Sequence, residues 1–577
     1  MNNALFSAMV AGHVPADLRI DNVRIVDVFS GGIRPGCVCV GDGRVLGFSR
    51  REARQVFDGE GRFLLPGLID AHVHIESSML SPAGFASLVI PFGTTTIIAD
   101  PHEIANVKGV QGIRYMLEAA RALPLDIRIM LPSCVPCLPF EDSGSALSAA
   151  DLAGLMDDAG ADGLAEMMNV PGLLAEDPEV WAKLDLARAA GKRIDGHAPL
   201  LGGRDLEMYV AAGVSTDHEC SERKEVMEKL ECGMYVIIRE GSAARNLAGL
   251  VSLVTPENER RFLFCTDDRH AADIMERGHI SNNLRLAVSA GLDAVSAVRM
   301  ATLNAAECCG LNDRGAIAPG RRADFALMDD LENFHCEACW IQGKLAAQHG
   351  RLASPLAEAD ASAMQASVNI APLPEHPFAV RVPSGKARVI GMRPHSLITD
   401  CLIRPVRTAD GGEVRLEDNP GLLKIAVLER HHATGKCAAA LLDGWYGLRG
   451  GAIATTIAHD SHNLVVAGDN DADMLAAVRE EQRIGGGIVM ASGGRILSSL
   501  PLPIGGLMSD APAGEVAQRL RELFALASSH YHIRGDVDAF MALSFLALPV
   551  IPSLKITARG LFDLPSFRFV SVDAEQD

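Results

Sequence analysis

Residues 64–311 alternate short apolar runs with helical patterns, and this alternation restricts the fold more than any other feature of the chain. The predicted strands are Gly67–His72, Thr94–Ala99, Asp126–Leu131, Gly163–Glu166, Arg193–Gly196, Val214–Thr216, Arg261–Cys265 and, as an additional one, 234–241. The predicted helices include Val110–Ala122, Ala149–Ala159, Glu179–Ala190, Asp205–Ala212, Ser221–Leu230 and Asp293–Cys308. Such alternation is typical of an α/β protein with a (β/α)8 barrel, whose catalytic residues lie at the carboxyl ends of the strands.

The segments on either side of the barrel have the sequence pattern of short strands, without the alternating helices. Residues 1–63 read as short strands with a Gly-Asp-Gly turn at 41–43, and similar β patterns return at 315–330 and 339–352. A proline-rich segment at 371–385 is predicted to be a linker to a further region. In that region, the glycines at 485–487 are predicted to form a tight turn between two strands, because no phosphate-loop motif surrounds them.

Composition excludes several classes of partner. The net charge of −20 makes a nucleic-acid partner unfavourable, since phosphate binding needs clustered Lys and Arg. No apolar run approaches the length of a membrane span, and the first residues do not resemble a signal peptide. Thirteen scattered cysteines, an odd number, are best explained as free thiols in a cytoplasmic protein. The pairs Cys134/Cys137 and Cys336/Cys339 are too far apart along the chain to favour a shared zinc site.

Two histidines at the end of the first predicted barrel strand are the first candidates for metal ligands. His72 and His74 are two residues apart, so on a strand both imidazoles can face one ion. The pair alone is equally compatible with one buried and one exposed histidine. Further residues of ligand type follow later predicted strands: Glu166, His197, His218 and Asp267. Because strand ends meet at one face of a barrel, the whole set predicts a metal centre.

These residues resemble the amidohydrolase superfamily. The histidine pair after the first strand, the acid after the fourth, one histidine each after the fifth and sixth, and the aspartate after the eighth match that superfamily. The segments "LLPGLIDAHVHIESSML", "DPHEIANV", "GLAEMMNVPG", "IDGHAP" and "STDHE" are similar to the adenine deaminase family within it. The resemblance covers nearly the whole chain. It implies a TIM-type barrel at 64–311, a small β-sandwich from 1–63 and 312–372, and an additional α+β domain at 373–577.

The resemblance also implies a binuclear centre. His72, His74 and Asp267 would hold the more buried metal, His197 and His218 the second, and Glu166 would bridge the two. Manganese(II) or iron(II) is favoured and zinc(II) also fits, since the nitrogen and oxygen ligands give little preference for soft metals. The implied reaction is metal-hydroxide hydrolysis of adenine to hypoxanthine and ammonia, with Asp267 and Glu166 as the catalytic proton carriers. A homo-oligomer, dimeric or larger, is expected by analogy.

Other polar residues are predicted near the site. Candidates for substrate contacts or for orienting ligands are Glu76, Ser77, His102, Glu103, Glu219 and Asp268. For Ser77 and Ser78, helix capping by at least one of them is favoured over a contact to substrate. His459 and His462, with Asp460 between them, lie far along the chain and could bind metal, line the mouth of the pocket or form a subunit interface.

Three alternatives remain to be compared with this prediction. A cytidine-deaminase fold would use His74, Glu76, Cys134 and Cys137, but Ser133 stands where that motif has proline. A hydrolase of cyclic amides, similar to dihydroorotase or to an imidazolone-opening enzyme, would use the same metal chemistry on a carbonyl group. A non-enzymatic scaffold is disfavoured, because such descendants typically lose metal ligands and all six are present here.

Overall fold

One helix and five strands precede the barrel. The computed structural model describes residues 3–393, 396–535 and 537–576. The first elements are α1 (Asn3–Val10), β1 (Ala16–Asp27), β2 (Gly32–Gly41), β3 (Arg44–Gly47), β4 (Ala53–Asp58) and β5 (Phe63–Pro66). Strand β1 alternates buried with partly exposed residues along much of its length, so one of its faces packs against a core.

Eight parallel strands form the centre of the molecule. They are β6 (Leu68–Val73), β7 (Thr94–Ala99), β8 (Asp126–Leu131), β9 (Ala161–Met167), β10 (Arg193–Gly196), β11 (Thr216–Asp217), β12 (Tyr235–Arg239) and β13 (Phe262–Cys265). Hydrogen bonds join β6–β10 into a five-stranded sheet and β11–β13 into a three-stranded sheet, each in chain order. The predicted strands are therefore observed, with 234–241 containing the eighth.

Two isolated parallel bridges connect these sheets at both edges. Ile194 pairs with Val214 between β10 and β11, and Val73 pairs with Asp267 just beyond β13. The strands thus follow one another around a ring. Apolar side chains from strands around the ring, among them Ile98, Met130 and Ile237, form one buried cluster, as expected for the filled interior of a barrel.

Helices alternate with the barrel strands. They are α2 (Pro82–Val89), α3 (His102–Arg121), α4 (Ala149–Met156), α5 (Val170–Leu174), α6 (Pro178–Ala189), α7 (Gly203–Ala211), α8 (Arg223–Glu231), α9 (Leu247–Leu250), α10 (Ala271–Arg277), α11 (Ile280–Ser289), α12 (Ala294–Met300) and α13 (Leu303–Cys308). The largest departure from prediction is α3, which begins eight residues before the predicted Val110. Gly109 interrupts this helix with a non-helical φ of 57° and ψ of −139°. The part of the helix before Gly109 was therefore not recognised in the sequence.

The chain returns to its first sheet after the barrel. Strands β14 (Phe325–Met328), β15 (Cys336–Ile341), β16 (Lys344–Gln348) and β17 (Arg351–Leu352) follow α13. Strand β14 pairs with β5, which also pairs with β1, so the two flanking segments form one nine-stranded sheet. Strands from both flanking segments thus share one hydrogen-bonded sheet, in which β5 lies between β14 and β1.

The C-terminal region contains a second large sheet. Its strands are β18 (Lys386–Met392), β19 (Thr399–Pro405), β20 (Leu422–Leu428), β21 (Cys437–Asp443), β22 (Ala452–Thr455), β23 (Leu464–Gly468), β24 (Gly487–Ser492) and β25 (Arg495–Pro501), and a three-stranded sheet follows with β26 (Leu554–Thr557), β27 (Gly560–Asp563) and β28 (Arg568–Val570). Its helices are α14 (Asp471–Ile484), α15 (Ala513–Ser529) and α16 (Met541–Ser544). Helix α15 packs on α10 and α2 of the barrel, so the two regions are in direct contact. Among the described residues, no helix has the length and apolar character needed to span a membrane.

Two expectations for the C-terminal region were wrong. The proline-rich segment 371–385 does not form a free linker, because Phe378, Val380 and Val382 are buried in C-terminal clusters. Gly485 does not form a turn between two strands: it ends α14 in the left-handed conformation, with φ of 80°, and β24 begins two residues later. The helical periodicity before the glycines was the signal that should have indicated a helix end.

A buried lysine fixes the ends of two barrel strands. The Lys229 ammonium in α8 donates to Asp217, to Glu225 and to the carbonyl of Ala198, each at 2.7 Å. Asp217 also accepts from the amide of Ala198 at 2.8 Å. Burial opposes the charge on Asp217, but Lys229 outweighs it and lowers the pKa of that carboxyl. The network therefore positions the residues that precede His218 and follow His197.

Replacing Lys229 by methionine should leave the buried Asp217 carboxylate without its counter-charge. We expect Lys229→Met to lower the free energy of unfolding by about 3–5 kcal/mol, as for other broken buried ion pairs. Urea titration followed by circular dichroism measures the change. Lys224→Met is the control, because Lys224 lies on the same helix and its side chain is 84% exposed. Equal unfolding midpoints for the two variants would show that the buried network does not stabilise the fold.

Candidate active site

The two histidines after β6 face a common point with Asp267. The Nε2 atoms of His72 and His74 are 3.2 Å apart. The Oδ1 atom of Asp267 lies 3.4 Å from the first nitrogen and 3.1 Å from the second. All three side chains are buried. The geometry therefore brings together three of the residues that the sequence predicts as metal ligands.

The bridge that closes the barrel also aligns these residues. The amide of Asp267 donates to the carbonyl of His72 at 3.0 Å. Next to this bridge, the buried Asp70 carboxylate accepts hydrogen bonds from the amide and the hydroxyl of Thr266 at 3.1 and 2.5 Å. The same carboxylate lies 3.0 Å from Nε2 of His279. Asp70 was missed in the sequence, although its place two residues before His72 on the same strand is a usable signal.

Glu166 lies between the first group and a second pair of histidines. Its Oε2 atom is 2.9 Å from Nδ1 of His197 and 3.2 Å from Nε2 of His218, while its Oε1 atom is 3.5 Å from Nε2 of His74. The rings of His72 and His218 stack at 4.1 Å between centroids. All six predicted ligands thus form one continuous group at the carboxyl ends of the barrel strands.

The donor set of this group is suited to a divalent cation. The Nδ1 atom of His74 contacts the carbonyl of Asp100 at 3.0 Å, which places a hydrogen on Nδ1 and directs Nε2 at Asp267. This arrangement, in which the second ring nitrogen donates to a carbonyl, is the usual one for a metal-bound histidine. Burial and His102 oppose protonation of His74, but Asp267 and Glu166 outweigh them and raise its pKa well above its usual range. The site therefore favours a positive charge between imidazoles and carboxylates.

The two carboxylates are held in their charged forms. Burial alone would raise the pKa of Asp267, but Arg239 and the surrounding histidines lower it well below its usual range. Burial acts in the same way on Glu166, whose pKa His197 and His218 lower strongly. Both side chains are therefore anionic at neutral pH, as oxygen ligands of a metal must be.

Arg239 is a residue that sequence reasoning missed. Its guanidinium donates to Oδ2 of Asp267 at 2.6 Å and forms an ion pair with Glu219. Glu219 in turn lies 3.4 Å from Nε2 of His218, so it is adjacent to the metal group, as predicted. The signal for Arg239 was available, because it is a charged residue at the carboxyl end of the additional predicted strand.

The start of α3 brings a fifth histidine to the group. The Nδ1 atom of His102 is 3.0 Å from Oδ2 of Asp100 and 3.4 Å from Oε1 of Glu166. Its Nε2 atom is 3.5 Å from Oε1 of Glu103. Asp100, His102 and Glu103 are all buried. The segment predicted to face the active side therefore does so, with His102 next to the central carboxylate.

The serines after His74 do not cap the next helix. Ser77 donates to Oδ1 of Asp268 at 2.5 Å, and Ser78 donates to the carbonyl of Ile75 at 2.6 Å. Ser81 is the residue that caps α2, by accepting from the amide of Gly84 at 3.0 Å. The capping prediction for Ser77 and Ser78 was wrong because a later serine stands directly before the helix.

Glu76 occupies an apolar position beside the metal group. It accepts from the amide of Ile104 at 3.2 Å, and its other carboxylate oxygen has no hydrogen-bond partner in the described parts of the chain. Burial raises the pKa of Glu76 to about 7. Glu76 therefore exchanges a proton near neutral pH, unlike Asp267 and Glu166.

The thiols of Cys134 and Cys137 are not prepared for metal binding. Burial raises the pKa of both, and Cys137 donates to the carboxylate of Glu141 at 2.7 Å. A metal ligand must be a thiolate, which this environment disfavours. The arrangement gives no support to a cytidine-deaminase type of zinc site.

A loop of the C-terminal region reaches the barrel at this point. The Nδ1 atom of His459 lies 2.7 Å from Oε1 of Glu103, and Nε2 of His462 contacts the other oxygen of the same carboxylate. The amide of Ala458 donates to Nδ1 of His462 at 3.1 Å, so the ring hydrogen of His462 is on Nε2 and points to Glu103. A neutral imidazole with both nitrogens so engaged has no lone pair left for a metal. His462 therefore forms a hydrogen bond with α3, and His459 lies against the same carboxylate.

Comparison with known sequences agrees with this geometry. The sequence model of the amidohydrolase family matches residues 63–346, and that of the adenine deaminase C-terminal domain matches residues 396–568. An adenine deaminase from Nitratidesulfovibrio vulgaris (strain DP4) is 56% identical over 565 residues, which is 98% of each chain. An adenine deaminase from Desulfatibacillum aliphaticivorans is 46% identical over 566 residues, again 98% of each chain. Among solved structures, an enamidase of the amidohydrolase superfamily aligns with 59% of this chain and 98% of its own, at 16% identity and a TM-score of 0.45.

A parallel barrel with histidines and carboxylates grouped at its strand ends, matched by the amidohydrolase family model, defines the class of this protein as an amidohydrolase-type hydrolase. The full-length relatives and the matching C-terminal domain narrow that class further. The chain belongs to the adenine deaminase family.

Removal of a central imidazole should reduce metal binding. We expect His74→Ala and His218→Ala, loaded with Mn(II) and then desalted, to retain at most about half of the wild-type metal, since each loses a nitrogen that faces the shared carboxylates. Metal per chain is measured by inductively coupled plasma mass spectrometry. The matched control is Cys134→Ser, which should bind as much metal as wild type. Loss of metal in the cysteine variant, or full retention in both histidine variants, would contradict the assignment of the site.

Proposed function

We propose that the protein is a metal-dependent adenine deaminase, which hydrolyses adenine to hypoxanthine and ammonia. The observation that carries the proposal is the buried group of four histidines and two carboxylates at the strand ends. It occurs in a chain whose relatives named adenine deaminase align with it over nearly their full length. Such enzymes act on a C–N bond. A cyclic-amide substrate was the alternative, and the full-length relatives give it no support.

We assign the ligands from the contacts within the group. His72, His74 and Asp267 would hold one divalent ion, and His197 and His218 the other, with Glu166 shared because it contacts histidines of both sets. Mn(II) and Fe(II) are favoured over Zn(II) only weakly, since imidazole and carboxylate ligands suit all three. The chemistry that bound ions supply is a water molecule ionised near neutral pH.

Two carboxylates would move the protons that the reaction requires. Asp267 accepts a proton from the attacking water and delivers it to the amine that leaves C6 of adenine. Glu166, on the other side of the same group, takes the other proton of that water and passes it to the ring nitrogen N1 as the attacked carbon becomes tetrahedral. Arg239 keeps Asp267 anionic and fixes its Oδ2 atom, so that Oδ1 remains directed at His72 and His74. His102 is placed to hold Glu166 by its Nδ1 contact.

Several broader proposals follow from the family and the sequence. We propose three domains, with boundaries at 1–63 together with 312–372, at 64–311 and at 373–577. Apart from Cys401, the described cysteines are free thiols, which fits a reducing cytoplasm. A homo-oligomer and the small molecules adenine and water are the proposed partners, and the net charge of −20 disfavours nucleic acid.

The function is tested by ammonia release from adenine. Wild-type protein loaded with Mn(II) or Fe(II) should release ammonia, whereas Asp267→Asn and Glu166→Gln should lower kcat by a factor of about 100 or more, because each removes a proton carrier. Both variants keep the size of the side chain. A coupled assay for ammonia and chromatography of hypoxanthine measure the rates.

The assay needs two controls. Metal analysis of each variant separates loss of metal from loss of proton transfer, and His335→Ala, at an exposed histidine, should keep the full rate. Turnover of a lactam or hydantoin without turnover of adenine would refute the substrate. A wild-type rate in Asp267→Asn at full metal content would refute the role of that carboxylate.

A further inference from the structure

The loop from Ile457 to Asn463 is held firmly against the barrel. It joins β22 to β23 of the C-terminal sheet, and all of its side chains are buried. On one side, Glu103 of α3 contacts both of its histidines. On the other side, the buried Arg430 guanidinium donates to the carbonyls of His462 and Ser367. The loop is therefore a fixed wall of the barrel mouth.

Two polar atoms of this wall lack partners. The Nε2 atom of His459 and the Oδ2 atom of Asp460 are buried and have no hydrogen-bond partner in any part of the chain that the structure describes. The His459 ring stacks on Phe545 at 4.6 Å, so its orientation is set. Buried polar groups in proteins are almost always satisfied, and two adjacent exceptions indicate a place where a bound molecule supplies the partners.

Asp460 lies across His102 from the metal group. His102 is 3.4 Å from Glu166 through Nδ1, and its Nε2 atom is 4.0 Å from Oδ1 of Asp460. The His102 ring therefore stands between Asp460 and the Glu166 carboxylate.

The wall offers one donor next to one acceptor. Burial opposes protonation of His459, but Glu103 outweighs it and raises the pKa of His459 to about 9, so Nε2 carries a hydrogen at neutral pH. Asp460 offers a carboxylate oxygen. Adenine has three edges on which a hydrogen-bond acceptor lies beside a donor. On two of these edges the donor is the amine at C6, which leaves in the reaction. The third edge, N3 with the N9–H, lies opposite C6.

We propose that His459 and Asp460 bind the N3 and N9–H edge of adenine, and that the C-terminal domain thereby selects the free base over 9-substituted purines. The inference rests on the proposed function, because it takes C6 to be the atom at the metal group. A substituent on N9 removes the hydrogen that Asp460 accepts and introduces bulk against a buried wall.

The test compares binding of hypoxanthine with that of 9-methylhypoxanthine by calorimetry on Mn(II)-loaded, full-length protein. Wild type should prefer hypoxanthine strongly, and Asp460→Asn should reduce this preference by about tenfold or more, since the N9–H would then donate to a neutral amide oxygen, a weaker acceptor than a carboxylate. In the adenine assay, the same variant should raise KM by a similar factor with little change in kcat. His459→Gln should weaken both ligands alike.

The matched control is Asp469→Asn, because Asp469 is a carboxylate of the same sheet that accepts from the amides of Gly450 and Gly451. It should retain the wild-type preference. Metal content and melting temperature show whether Asp460→Asn is folded and loaded. A folded, loaded Asp460→Asn with the wild-type preference would overturn the proposal, as would a wild type that binds both purines equally. Failure of the proposed function has a different result. In that case wild-type protein releases no ammonia from adenine, although the binding comparison still detects the N9–H contact.

Discussion

The structure depends on a buried concentration of negative charge that requires a positive partner. Glu166 and Asp267 are both buried and both anionic, and they lie within hydrogen-bond distance of histidines from three different strand ends. Removing a carboxylate from water is expensive unless it is paired. Imidazoles and Arg239 supply part of the compensation, and a divalent cation at the centre would supply the rest. The barrel brings these residues, which are far apart along the chain, into contact.

The surrounding networks serve that centre. Asp70 and Thr266 join the first and last strands of the barrel, and Lys229 with Asp217 fixes the loops that carry His197 and His218. Each of these contacts joins buried charged or hydroxyl groups whose hydrogen bonds are satisfied. The groups therefore have one favourable geometry rather than several. The ligands are therefore positioned before a metal binds, which is the condition for a precise site.

The C-terminal region contributes to the same centre. Its buried loop places His459, Asp460 and His462 against the start of α3, where Glu103 contacts both histidines. The region is thus part of the wall around the reacting atoms as well as a neighbouring domain. This explains in physical terms why a barrel that already holds all six proposed ligands is accompanied by a second large sheet.

The sequence by itself determined the alternation of strands and helices, the ligand types at the strand ends and the resemblance to a family, because periodicity and residue spacing are local properties. It misjudged the start of α3, the capping serine and the end of α14, where Gly109, Ser81 and Gly485 act through backbone conformations that spacing does not reveal. Only the tertiary structure decided that Arg239 holds Asp267 and that His462 donates to Glu103 instead of binding metal. Those relations join residues far apart in the chain, and burial and hydrogen-bond direction exist only after the barrel and the second sheet have packed together.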